Sequence, residues 1–169
     1  IYEETRRVLP RQLACELARI HAVDLATAEL DLLRTAAPAG KDPRRFARAE
    51  LERFRSLGEL ASGGHPQPVL ELAAQWLDEN APAVEEPVLV HGDFRIGNIM
   101  FDKSGLTAVL DWELAHLGDP MEDLGWLAVR SWRFGRDELA IGGLCSREEL
   151  HRFYQQASGR SVDPGVAAY

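Results

Sequence analysis

The segment from Pro87 to Asp111, PVLVHGDFRIGNIMFDKSGLTAVLD, constrains the fold most, because it holds three short β-type runs: Val88 to Val90, Ile99 to Phe101 and Leu106 to Leu110. The last two flank Asp102-Lys103-Ser104-Gly105, a Gly-containing tetrapeptide, and predict a β-hairpin. A hairpin returns its outer ends to the same place, so Asn98 ahead of the first strand and Asp111 after the second are expected side by side. Asp93 lies five residues before Asn98, within HGDFRIGN. On the residues alone this loop has two readings. Gly beside Asp is ordinary turn chemistry, and an Asn before a strand often caps a loop. The same side chains would also serve phosphoryl transfer, which needs a carboxylate to orient an acceptor hydroxyl and hard oxygen ligands for magnesium.

On either side the periodicity is helical. Leu13, Leu17 and Ile20 with Ala14 and Ala18 predict a helix with Pro10 in its first turn and an end near His21. Asp42 as N-cap and Pro43 at the first helical position predict a second, carrying Phe46, Leu51, Phe54 and Leu57 towards a stop at Gly58. A third is expected over residues 68–78 with Leu70, Ala73, Ala74 and Leu77 inward, after a loop at residues 62–68, SGGHPQP. Beyond the hairpin, residues 120–133 predict a helix with Leu124, Leu127 and Ala128 on one face. A last helix opens with a capping box, Ser146 and Glu149. Trp112 is expected in the core.

Composition narrows the function. A net charge of −8 lacks the clustered Lys and Arg that a nucleic-acid surface needs, so no nucleic-acid partner is expected. No apolar run approaches the roughly 20 residues of a membrane span. Cys15 and Cys145 have neither disulfide-framework nor zinc-ligand spacing, which fits reduced thiols and a cytoplasmic location. The chain starts at Ile1 and reads as part of something longer, with 169 residues sufficing for one domain.

His91, Gly92, Asp93 and Asn98, with Asp111 thirteen residues after Asn98, resemble the H-G-D-x-x-x-x-N loop and later metal-binding aspartate of the aminoglycoside phosphotransferase and choline kinase-like family, distant relatives of protein kinases. GDPMEDLGW, residues 118–126, is similar to that family's G-D-P-x-x-D-L segment. DWELAHLGDP and SWRFG resemble the subgroup of kinase-like domains attached to some acyl-CoA dehydrogenases, and LARIHAVDL resembles the helix end ahead of the catalytic region. The resemblance implies an α+β, mainly helical fold: the C-terminal, large lobe of a protein kinase-like fold, with a short hairpin carrying the catalytic loop. The pattern along the chain gives one domain, 1–169, with helical residues 1–85, catalytic loop and hairpin 86–112, and helical residues 113–169. The resemblance implies a magnesium-dependent phosphotransferase moving the terminal phosphate of ATP or GTP to a small-molecule hydroxyl. Asp93 would be the catalytic carboxylate, Asn98 and Asp111 would hold Mg2+ and the nucleotide, and His91 and Asp123 would support the loop. Glu113 stands where protein kinases have the glycine of D-F-G, so its part is open. Arg95 could face a phosphate or solvent.

The nucleotide side of such a kinase needs a glycine-rich strand turn and a strand lysine, and neither is present. Gly40-Lys41 imitates a P-loop ending, but Thr35 stands where its first glycine belongs. The resemblance therefore implies that the β-rich N-terminal lobe is a missing partner from the same protein and that this chain alone is catalytically silent. The dehydrogenase-linked resemblance tilts the acceptor towards a hydroxyacyl thioester, while the net acidity would equally suit a cationic amino-sugar. The competing readings are a non-catalytic kinase-like binding module and an unrelated helical interaction domain with a chance motif.

Overall fold

The computed structural model describes residues 3–168, without the side chains of Arg34 and Thr35. Helix α1 (Glu3–Ile20) runs through the centre. Leu9, Leu13, Ala14 and Leu17 along one stripe are fully buried, against Leu124, Leu127, Leu150 and Tyr154 from later helices and Phe94 from the loop. Pro10 lies inside this helix and not at its start. An interior proline costs roughly 3 kcal/mol. Burying three leucines at about 1.5–3 kcal/mol each offsets that, and Glu3 and Glu4 suit the helix dipole at the earlier start.

Helix α2 (Asp31–Ala36), which periodicity did not predict, leads to α3 (Arg45–Ser62) and α4 (Pro68–Glu79). Asp42 forms a turn ahead of α3, its Oδ1 accepting from Arg44 N at 2.9 Å, while Arg44 is the N-cap. The helix passes through Gly58, at about 1 kcal/mol relative to alanine, and stops at left-handed Gly63, φ 61°. On α4 only Ala74 is buried and Leu77 half-buried; Leu70 and Ala73, expected inward, are exposed. A periodic stripe identifies an amphipathic helix but not how much of it a neighbour covers.

Strands β1 (Val88–Val90) and β4 (His116–Gly118) pair antiparallel, Val90 opposite His116. Strands β2 (Ile99–Asp102) and β3 (Gly105–Val109) form the expected hairpin, with a register shift between Met100 and Phe101. Helix α5 (Pro120–Leu127) is capped by Asp119, whose Oδ1 accepts from Met121 N. It ends short of the expected Arg133: Arg133 Nη2 donates to the Ala128 carbonyl at 3.0 Å, closing the helix, and a 3-10 turn follows over Arg130–Trp132. Helix α6 (Arg147–Ser158) begins at Ser146, whose Oγ accepts from Glu149 N, and packs on α1. Among the described residues no helix is long and apolar enough to cross a membrane. The architecture is mainly helical with two small two-stranded sheets, as the α+β reading of the sequence expected.

Candidate active site

The loop leaving β1 is fixed from beneath. Asp123 on α5 is fully buried, and its two oxygens accept from His91 N at 2.9 Å and Gly92 N at 3.0 Å. Its Oδ2 also meets His21 Nε2 at 3.1 Å, and His21 Nδ1 lies 2.7 Å from the Tyr154 hydroxyl. A carboxylate only accepts, so Nε2 carries the proton; in the neutral ring Nδ1 then accepts from Tyr154. Gly92 is left-handed, φ 82°, and a Cβ there would collide with the Leu114 carbonyl, so only glycine fits.

His91 joins the loop to the hairpin. Asp93 N donates to its Nδ1 at 3.2 Å, which leaves Nε2–H to donate to the Leu110 carbonyl at 3.0 Å. The ring rests on Trp112, centroids 4.6 Å apart. Trp112 is therefore not core: it is 41% exposed, with Nε1 donating to Val109 O.

Asp93 collects donors on both oxygens. Trp126 Nε1 lies 2.7 Å from Oδ1, Asn98 Nδ2 lies 2.7 Å from Oδ2, and Arg95 Nε is 3.1 Å from each. The Arg95 guanidinium also lies over the Trp132 ring, 4.8 Å from its centroid. Asn98 Nδ2 gives its second hydrogen to the Asp93 carbonyl at 3.0 Å. Both partners are acceptors, so the amide orientation is fixed, and its Oδ1 is turned away from Asp93.

Leu110 N donates to Asn98 O at 2.8 Å, so the hairpin delivers Asp111 beside Asn98. Asp111 is exposed and left-handed, φ 67°, ψ 64°, a conformation that costs a non-glycine residue of order 1–3 kcal/mol and clusters at functional sites. Glu113 follows in an exposed 3-10 turn, Trp112–Leu114. The backbones of Asn98 and Asp111 thus adjoin at one hairpin end, and an amide oxygen and a carboxylate are donors of the type that Mg2+ takes.

The structure thus gathers Asp93, Asn98 and His91 into one hydrogen-bonded loop, sets Asp111 beside Asn98, and places Asp123 beneath. Sequence reasoning missed Trp126, His21 and Tyr154 as partners. Trp126 lies within GDPMEDLGW and His21 within LARIHAVDL, whereas no spacing links Tyr154 to residue 21.

The model of the phosphotransferase enzyme family, APH, matches residues 1–159. The chain belongs to this family. As a family member it is 38% identical over 112 residues to acyl-CoA dehydrogenase family member 10 of Mus musculus, covering 65% of the chain and 10% of that relative. That similarity agrees with the subgroup expected from DWELAHLGDP. A candidate aminoglycoside phosphotransferase of Ralstonia eutropha superposes with a TM-score of 0.66 at 26% identity, covering 96% of this chain and 50% of that one. The streptomycin–ATP ternary complex of APH(2″)-IIa gives 0.60 at 19%, covering 99% and 53%, and so shows the fold. The chain spans about half the length of these solved chains and a tenth of the curated relative.

Proposed function

We propose that the protein containing this chain transfers the terminal phosphoryl group of a nucleoside triphosphate to a hydroxyl of a small molecule, with Asp93 as the group that takes the hydroxyl proton. The observation that carries this is Asp93 held by Trp126, Arg95 and Asn98, with the Asn98 amide oxygen and Asp111 at the adjoining hairpin end. ATP in the ternary complex of APH(2″)-IIa supports a nucleotide donor. Asn98 Oδ1 and the Asp111 carboxylate would hold Mg2+, whose charge offsets that of the phosphates.

The four donor contacts on Asp93 use its four lone-pair sites, so Arg95, whose Nε is shared between both oxygens, moves off when an acceptor hydroxyl docks. Asp93 then orients the hydroxyl and receives its proton. The O–H bond breaks as the new bond to phosphorus forms, and the bridging oxygen leaves with the nucleoside diphosphate. Gly92 and Trp126 also line a cavity of about 440 Å³ with Phe46, Leu51 and Phe54 in its wall. That apolar wall, with the likeness to an acyl-CoA dehydrogenase family member, supports a hydroxyacyl thioester as acceptor over an amino-sugar.

The test is phosphate transfer from labelled ATP by the full-length protein, offered hydroxyacyl thioesters and aminoglycosides in parallel. Turnover with a thioester that falls about 10²–10⁴-fold in Asp93→Asn is the expected result. Turnover with the aminoglycoside alone overturns the acceptor. Nucleotide binding without turnover, or turnover unchanged in Asp93→Asn, overturns the mechanism in favour of a binding module or another base.

A further inference from the structure

Beside the catalytic loop, three side chains from separate elements converge without a part in the chemistry above: Glu50 of α3, His116 of β4 and Glu122 of α5. One ligand atom from each lies within 4.8 Å of the others. His116 Nε2 is 3.1 Å from Glu122 Oε2 and 3.7 Å from Glu50 Oε1. Donors bound tetrahedrally to zinc at about 2.0–2.1 Å stand about 3.3 Å apart; the two edges from His116, 3.1 and 3.7 Å, fall on either side of that value, and the third lies within 4.8 Å.

The ring is aimed. His116 Nδ1 lies 2.9 Å from the Leu114 carbonyl, which commits Nδ1–H to a backbone oxygen and turns Nε2 to the carboxylates. An imidazole bound to metal is oriented in this way by its other nitrogen. Gly118 makes the room: a Cβ there would come within 3.0 Å of Nε2. Each side chain is half-buried, and Glu50 and Glu122 line the 440 Å³ cavity, so a cation held here keeps a coordination position facing it.

We propose that Glu50, His116 and Glu122 form a binding site for a first-row divalent cation of the zinc type, tying α3, β4 and α5 together beside the acceptor cavity. One imidazole with two carboxylates suits such an ion better than magnesium, which prefers oxygen alone. Without a cation, both ring nitrogens face oxygens that only accept, so a proton on Nε2 occupies the cation's place. Burial alone would disfavour the charged ring, but the hydrogen bond and charge of Glu122, with the Leu114 carbonyl and Glu50, push His116 up to about 9. The proposal does not depend on the phosphotransfer reading, because none of its ligands belongs to the catalytic loop or the hairpin.

Full-length protein carrying Asp111→Ala, stripped with a chelator and titrated with ZnCl2 by calorimetry, isolates this site from the hairpin donors. One Zn2+ per chain is expected, with zinc K-edge absorption showing one imidazole nitrogen at about 2.0–2.1 Å and oxygen neighbours. His116→Gln should weaken binding at least about tenfold, the lower bound for losing even an outer partner of a metal site. Glu50→Gln, which keeps the shape of the side chain on α3, provides a second variant should His116→Gln fail to fold, and should weaken binding likewise. No zinc bound, or zinc bound equally by parent, His116→Gln and Glu50→Gln, overturns the proposal and leaves an ion-paired cluster. Loss of phosphate transfer in Asp93→Asn with zinc stoichiometry intact separates the two readings.

Discussion

At the scale of single residues, the site depends on donors and acceptors whose directions their partners leave no freedom. Asn98 gives both amide hydrogens to Asp93, so Asn98→Asp sets a carboxylate against the Asp93 carbonyl and carboxylate. Two charges about 3 Å apart repel by about 5 kcal/mol at an effective dielectric of 20, whereas Asn98→Ala forfeits only about 1–3 kcal/mol of hydrogen bonding. Urea denaturation should therefore rank the near-isosteric Asn98→Asp below Asn98→Ala; the reverse order would mean that the amide does not point at Asp93. Tyr154→Phe removes only a hydroxyl, yet leaves the buried His21 Nδ1 without its partner. A loss of about 1–3 kcal/mol is expected. Because His21 leans on Asp123, amide exchange at His91 and Gly92 should quicken beyond what the global loss explains.

At the scale of elements, the hairpin must be held at its far end if its open end is to present Asn98 and Asp111 together. Helix α1 does this. Gln12 Oε1 accepts from Leu106 N at 2.8 Å, Gln12 Nε2 donates to Ser104 O at 3.3 Å, and Thr5 Oγ1 donates to Asp102 O at 2.6 Å. Gly105 allows this approach, since with φ 120° it has no Cβ to meet the Gln12 amide. Gln12→Leu should cost about 1–2 kcal/mol, and Gln12→Glu, which keeps the acceptor for Leu106 N, less. Thermal denaturation of the two variants checks the order, and equal losses would assign the docking to packing alone. The hairpin was legible in the sequence because a turn tetrapeptide between two β-type runs fixes pairing locally. The start of α1 was not, because proline reads as a start signal and only the buried stripe, set by tertiary contacts, carries the helix past it. The same limit applies to α4, where Leu70 has the spacing of a core residue and is 58% exposed.

At the scale of the molecule, one core joins α1, the loop residues Phe94 and Ile96, α5 and α6, so the loop's anchorage and global folding are parts of one structure. That joining is what a linear pattern hides: Asp93 and Asn98 sit in one short motif and Asp123 in the G-D-P-x-x-D-L segment, while residues 21 and 154, or 50, 116 and 122, meet only after the helices close on one another. The two cysteines report on this core. Cys145 is buried in it, at one end of the Ile141–Cys145 backbone bridge, and burial, with the nearby Glu149 charge, pushes its thiol up to about 12. At pH 8 about one molecule in 10⁴ would carry the Cys145 thiolate, the form that reacts with alkylating agents. Cys15 on α1 is partly exposed. Iodoacetamide on the native protein should therefore label Cys15 and spare Cys145, as read by peptide mass spectrometry. In a urea titration, Cys145 labelling should rise together with loss of the helical circular dichroism signal, because opening this part of the core means separating α1 from α6. Labelling of Cys145 well before that transition would show that the segment ahead of α6 opens independently, and that the contacts holding Tyr154 and His21 beneath the loop are not part of the cooperative unit.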